Sequence, residues 1–322
     1  TAHRAIVIAD PVVRRFEQQI EAFAVMRSPL YSRVTQLALE NYRARGVVHD
    51  FFTDAPSRAV ASTPGVRLMG ALHYLALSGE SPELAAHFPS CGGDGDAGAI
   101  WELAQELLAS REERIGQLFD ETPQTNEVMR GTVLSAGLSA FARSTGLPLR
   151  LFEIGASAGL NTRLRGADYA IAERAACDLH PLDINDEKDR LRLLSFVWAD
   201  DAERIARLHE AIDAAREVPL VVEQADMFEW LSRRVEPKAG YASVVMQSVV
   251  ADHLTKDERA RLAGIIEAIG QRASAQSPFA WLRMEFDHAT RRYQTRLRVW
   301  PGGDDHLIAS STGHAREIEW IG

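Results

Sequence analysis

Helical periodicity dominates the first 145 residues. Val13, Phe16, Ile20 and Phe23 recur three or four positions apart, behind an Asp10-Pro11 pair that suits an N-cap and a first helical position. Val34, Leu37, Ala38 and Asn41 extend a second stripe toward Gly46, and Leu68, Ala71, Leu72 and Leu75 a third that stops near Gly79. The Gly- and Asp-rich stretch 90–98 reads as a loop. One further helix is expected to carry Trp101, Ala104, Leu108, Ile115 and Leu118. Another should run from about Val128 to Ser144, with Gly146 as its C-cap.

The period changes at Leu147. Residues 149–154 form a short apolar run of strand length that ends in a glycine-rich turn, after which a helix is expected. Strand-like runs return at Leu220–Val222, around Val244–Met246 and at Phe279–Met284. Between them lie helical stripes, Ile205, Leu208 and Ile212, then Leu262, Ile265, Ile266 and Ile269 behind a Thr255-to-Glu258 capping box. Tyr293, Thr295, Leu297 and Val299 alternate with polar residues, residues 301–304 make a turn, and His306–Ser310 and Arg316–Ile321 read as closing strands. Alternating β and α units predict an α/β fold, a mostly parallel sheet with an antiparallel C-terminal hairpin, preceded by a helical N-terminal region. The expected boundary divides residues 1–121 from 122–322.

Composition narrows the function classes. The chain has 322 residues, 46% hydrophobic and 25% charged, enough for a large core without disulfide or metal staples. A net charge of −9 argues against a nucleic-acid or acidic-membrane binder, which needs clustered Lys and Arg. The longest apolar runs, residues 5–9 and 244–250, fall far short of the ~20 residues of a membrane helix. Arg4 and the five residues after it are too little for a secretory signal. Cys91 and Cys177 suit a reduced, cytoplasmic protein better than a disulfide framework. Ten scattered histidines offer no ligand spacing, so no metal is expected.

Candidate chemistry centres on Glu153-Ile154-Gly155-Ala156-Ser157-Ala158-Gly159-Leu160-Asn161, placed between a strand and the element that follows it. Ligands of open α/β sheets bind at the carboxyl ends of the strands, where this turn lies. The pattern resembles the first motif of class I S-adenosylmethionine-dependent methyltransferases in Glu153, Gly155 and Gly159, while Ser157 replaces the middle glycine. That resemblance implies an acidic ribose ligand roughly 20 residues on, met by Asp178 with Asp183 as the fallback. It also implies a polar residue near the adenine, met by Asp226, and a stretch near the methyl donor, met by Gln247, Asp252 and His253. Asp252 and His253 are the candidate catalytic pair, His253 as general base. The expected cofactor is S-adenosylmethionine and the expected partner a small-molecule acceptor, in a pocket closed by the helical region.

Two rival readings use the same residues. Gly155-Ala156-Ser157-Ala158-Gly159 is also G-x-S-x-G, the pattern of a hydrolase nucleophile elbow, with Asp252 or Asp287 as acid and His306 or His314 as base. A non-catalytic ligand-binding protein of the same fold is the third. The polar run before the fifth helix reads equally as helix capping by Thr125 or Asn126, with Glu127 near the positive helix end, or as a helical lid that places Asn126, Glu127 and Arg130 over the cofactor, Asn126 and Glu127 as catalytic groups. Arg192 and Arg283 read as anion ligands or as partners of neighbouring carboxylates.

From about Leu68 onward the chain resembles an uncharacterised bacterial family. The resemblance rests on the glycine-rich segment, on residues 123–130, on Cys177-Asp178-Leu179-His180-Pro181, on residues 191–198 and 280–285, and on Trp300-Pro301-Gly302-Gly303. It implies a Rossmann-like methyltransferase fold carrying a helical N-terminal portion, and names no substrate.

Overall fold

The stripes that begin the chain become helices because each has a cap or a proline at its start and one apolar face to bury. In the computed structural model, which describes residues 10–164 and 168–321, α1 (Pro11–Val25) opens with Asp10 accepting the Val12 amide. It is followed by α2 (Pro29–Arg43), α3 (Val47–Thr53), α4 (Pro56–Val60), α5 (Pro64–Leu77), α6 (Pro82–Ala85), α7 (Ala97–Ser110) and α8 (Glu112–Asp120). Arg4 and residues 5–9 lie outside the described residues. The single helix expected over Trp101–Leu118 is two, because Arg111 leaves the helical conformation (φ −133°, ψ 35°).

The remaining elements are α9 (Arg130–Thr145), β1 (Leu149–Ile154), β2 (Ile171–Asp178), α10 (Glu187–Ser195), α11 (Ala202–Ala215), β3 (Val222–Gln224), α12 (Met227–Arg234) and β4 (Ala242–Ser248). α13 (Lys256–Gly270) and β5 (Phe279–Asp287) lead into β6 (Arg292–Trp300), β7 (Asp304–Ser311) and β8 (Glu319–Trp320). The chain divides into two units, residues 1–125 with 187–207, and residues 126–186 with 208–322.

The first unit is helix packed on helix around an aromatic cluster. Phe52 meets Phe16, Tyr42, Phe51 and Phe119 edge to face, with centroids 5.5 to 6.0 Å apart, the arrangement ring quadrupoles favour. Trp198, from the inserted stretch, packs on Phe23 at 5.5 Å. Asp200, two residues on, accepts the Ser28 hydroxyl and the Leu30 amide, so it caps α2 in place of Ser28, whose own side chain makes no cap bond.

The second unit is an eight-stranded sheet in the order β3-β2-β1-β4-β5-β6-β7-β8. Pairs from β3 to β5 are parallel, and those from β5 to β8 antiparallel. Period-two alternation gives this sheet two apolar faces. Leu151, Met246 and Leu282 meet Val133, Leu138 and Phe141 of α9, while Phe152, Val245 and Phe279 meet Trp230, Ile266 and Ile269 of α12 and α13. The capping box opens α13 as its sequence predicts, the Thr255 hydroxyl accepting the Glu258 amide and Glu258 accepting the Thr255 amide. The strand order reverses between β1 and β4, which places the switch point, and its crevice, at the end of β1.

Among the described residues no helix is long and apolar enough to cross a membrane, and no group of His, Cys, Asp and Glu is arranged to hold a metal ion.

Candidate functional site

β1 ends at Ile154 and the chain turns sharply through three residues with positive φ, Gly155 (62°), Ser157 (55°) and Gly159 (70°). The helix expected after this turn is absent among the described residues; residues 160–163 continue as hydrogen-bonded turns. Only glycine fits at the first and last of these positions. A Cβ on Gly155 would lie 2.7 Å from the Val250 methyl, and one on Gly159 2.9 Å from Leu220 and Val222. Both glycines are therefore required by the chain's own packing as well as by φ.

The turn is fastened on three sides. Asp178, at the end of β2, accepts the Ser157 amide on one oxygen and the His180 amide on the other, both at 2.8 Å. Asn126 accepts the Leu160 amide at 2.9 Å. Arg163, which no motif pointed to, donates to the carbonyls of Ala158, Val218 and Leu220 and so joins the turn to the segment entering β3.

Glu153 sits beneath the turn and is 2% exposed. Burial pushes its carboxyl up to about 8, against hydrogen bonds from Thr162 and Asn161 that pull it down. The Thr162 hydroxyl donates to it directly. Glu153 and Asn161 thus form one buried network. Ser157 Oγ is also buried, and among the described residues it has no hydrogen-bond partner.

The other expected site residues are placed as follows. Asp226 begins α12 and caps it, one oxygen accepting the Phe228 and Glu229 amides. Gln247 is buried with both ends of its amide engaged, donating to Glu285 and accepting from Trp281. Burial raises Glu285, which also accepts the Val250 and Ala251 amides and holds the turn after β4. That turn starts at Val249 (φ 57°) and carries Asp252 and His253, both exposed. Glu127 is buried just before α9, where it accepts the Met129 amide; Arg130, at the start of α9, donates to the Gly313 carbonyl. Asp183 accepts both the backbone and the side-chain N–H groups of Asn185. Arg192 pairs with Glu121 and Arg283 with Asp305, the carboxylate alternative for each.

For hydrolase chemistry the turn has the pattern, but among the described residues no base is hydrogen-bonded to Ser157 Oγ. His306 is level with Glu153 through the successive pairs Met246, Leu282 and Leu297, yet four strands away, about 19 Å at the usual strand spacing. His314 follows that same strand, and Asp287 spends its carboxylate on the Ala289 and Thr290 amides. A nucleophilic serine needs a base at hydrogen-bond distance, and Ser157 Oγ has none.

No curated protein and no solved structure matches this chain. A family model does, over residues 13–171 and 163–320, so the match reaches back through the helices of the first unit. The chain belongs to that family, described as an uncharacterized protein conserved in bacteria (DUF2332).

Proposed function

We propose that the chain binds S-adenosylmethionine at the carboxyl ends of β1 to β4 and transfers its methyl group to a small-molecule acceptor. One observation carries this reading. The glycine turn lies at the switch point of a 3-2-1-4 strand order, with Asp178 ending β2 beside it and Asp226 following β3. These are the places from which an adenosyl group is held in sheets of this order.

The residues have the hydrogen-bonding capacity such a ligand needs. A carboxylate offers about four lone-pair sites, and Asp178 uses two, which leaves room for a pair of ribose hydroxyls. Asp226 caps α12 through one oxygen and keeps the other for an exocyclic amine. Ser157 Oγ, buried and unspent, is the group in the turn that would meet the amino-acid end. When bound, the cofactor supplies a methyl group already activated by a sulfonium charge. The chain's own task is alignment and exclusion of water. Asp252 and His253, next along from β4, would flank the acceptor, with His253 taking its proton.

Calorimetric titration with S-adenosylmethionine and with S-adenosylhomocysteine tests the reading. Micromolar binding of both is expected, and binding of neither would overturn it. Asp178→Ala should abolish that binding. Because the Ser157 and His180 amides then lose their acceptor, the variant should also lose roughly 1–3 kcal/mol of stability. Asp178→Asn, which keeps one acceptor oxygen, separates the two effects.

A further inference from the structure

Beside the glycine turn, on the side of α11, lies a cavity of about 190 Å³. Val128, Leu160, Leu164 and Ala211 give it apolar walls, and its polar lining is Asn161 and Arg163. An apolar cavity of about 150 Å³ accommodates a benzene ring, so this one has room for a ring or a short hydrocarbon chain bearing one polar group.

Arg163 sets what that polar group is. It is 8% exposed, and its three hydrogen bonds go to neutral carbonyls, with no carboxylate within ion-pair distance among the described residues. A guanidinium has five N–H donors, so two remain, one on each terminal nitrogen. The acidic groups that act on it are Asp183, which makes no ion pair with it, and Glu153, which, held up to about 8, is mainly protonated at neutral pH. A buried cation with no carboxylate in contact is costly, and burial already lowers the Arg163 pKa. Asn161 gives one of its two amide donors to Glu153, so among the described residues Arg163 is the one charged residue lining the cavity and the one with two N–H groups unspent.

We propose that this cavity is a binding site for a small carboxylate with a compact apolar body, its carboxylate on Arg163 and its hydrocarbon against Val128, Leu160 and Leu164. The guanidinium fork matches a carboxylate in plane and in charge, which an ammonium would not do as well. Such a carboxylate has two sources, a free organic acid or the amino-acid end of a larger ligand. The site would exist whether or not the chain binds S-adenosylmethionine.

Benzoate is the probe, with benzyl alcohol as its neutral counterpart, titrated calorimetrically into the full chain at neutral pH. Benzoate should bind at one site, and benzyl alcohol about tenfold more weakly or worse. Ala214 lines the cavity from an exposed position on α11, so Ala214→Trp should obstruct it without disturbing the fold. In that variant benzoate affinity should fall about tenfold or more while the urea midpoint stays put. Arg163→Lys should retain part of the preference for the acid, and Arg163→Met none. Equal affinity for acid and alcohol, benzoate binding untouched by Ala214→Trp, or no benzoate binding at millimolar concentration would each overturn the assignment. Displacement of benzoate by S-adenosylhomocysteine would identify the carboxylate as that of an amino-acid end; simultaneous binding of the two would identify a separate acid.

Discussion

His73, in the helical unit, and Glu153, under the glycine turn, are buried to the same degree and solve that problem differently. His73 stacks on Phe88 at 5.1 Å. Its Nδ1–H donates to the Ser195 carbonyl, and Nε2 accepts the Ser90 hydroxyl at 2.7 Å. Burial depresses it to about 4, so it is a neutral ring whose two nitrogens are both spent. Glu153 is also held neutral by burial, but within one turn of it lie an unpartnered hydroxyl, Ser157 Oγ, and a cation with spare donors, Arg163. Thr35 Oγ1 in α2 is likewise orphaned, as an isolated hydroxyl. Burial by itself therefore separates core from site poorly. Clustered spare hydrogen-bonding capacity separates them better, since a satisfied group has nothing left to offer a ligand.

The sharpest way to break this contrast is pH. Glu153 keeps its proton to about pH 8 in the folded chain and releases it near 4.5 when unfolded. Its contribution is complete below about pH 4.5 and is lost as pH rises through 8, by on the order of 5 kcal/mol. His73 has the opposite sign. Its contribution is complete above about 6.5 and is lost as pH falls toward 4, by on the order of 3 kcal/mol. Between pH 4.5 and 6.5 the two slopes are opposite and cancel, so stability in urea unfolding should be nearly flat there and decline between 6.5 and 8; Glu153→Gln should remove that decline and uncover the His73 slope below 6.5. An unchanged alkaline slope in that variant would mean that another group carries it.

Packing gives a comparable effect in the helical unit. Phe52→Ala empties the centre of the aromatic cluster and should cost about 3–5 kcal/mol in urea unfolding. Thr255→Ala removes half of the capping box and should cost about 1 kcal/mol, with little change in the denaturant slope. Ser157→Ala sits at the other end of the scale. Its Oγ makes no hydrogen bond, so its removal should change stability by less than about 0.5 kcal/mol, or raise it. A loss above about 1 kcal/mol there would show that the hydroxyl is bonded after all, and would remove it from the spare capacity at the turn.

Much of this arrangement can be read from local sequence. Asp10, Gly146 and the Thr255-to-Glu258 box act within three or four residues, and each does what its position predicts. β1 falls at residues 149–154 because a six-residue apolar run bounded by a proline and a glycine fits a strand buried on both faces. The glycine turn is legible too, although its sequence does not show that Val250 and Leu220 fill the space beside its glycines. Arg163 carries no motif. Its role follows from three carbonyls, two of them more than fifty residues away.

The sequence by itself therefore determined the α/β class, the helical start, the strand-to-turn junction and the caps at Asp10, Gly146 and Thr255, since periodicity and capping depend on neighbours along the chain. Tertiary structure alone decided that Arg111 breaks a helix in two, that no helix follows the glycine turn among the described residues, and that residues 187–207 join the helical unit. It alone brought Asp200 to the start of α2 across some 170 residues. A hydrogen bond of that kind is specified by which surfaces pack, and no local pattern of residue types encodes which distant donor a carboxylate will meet.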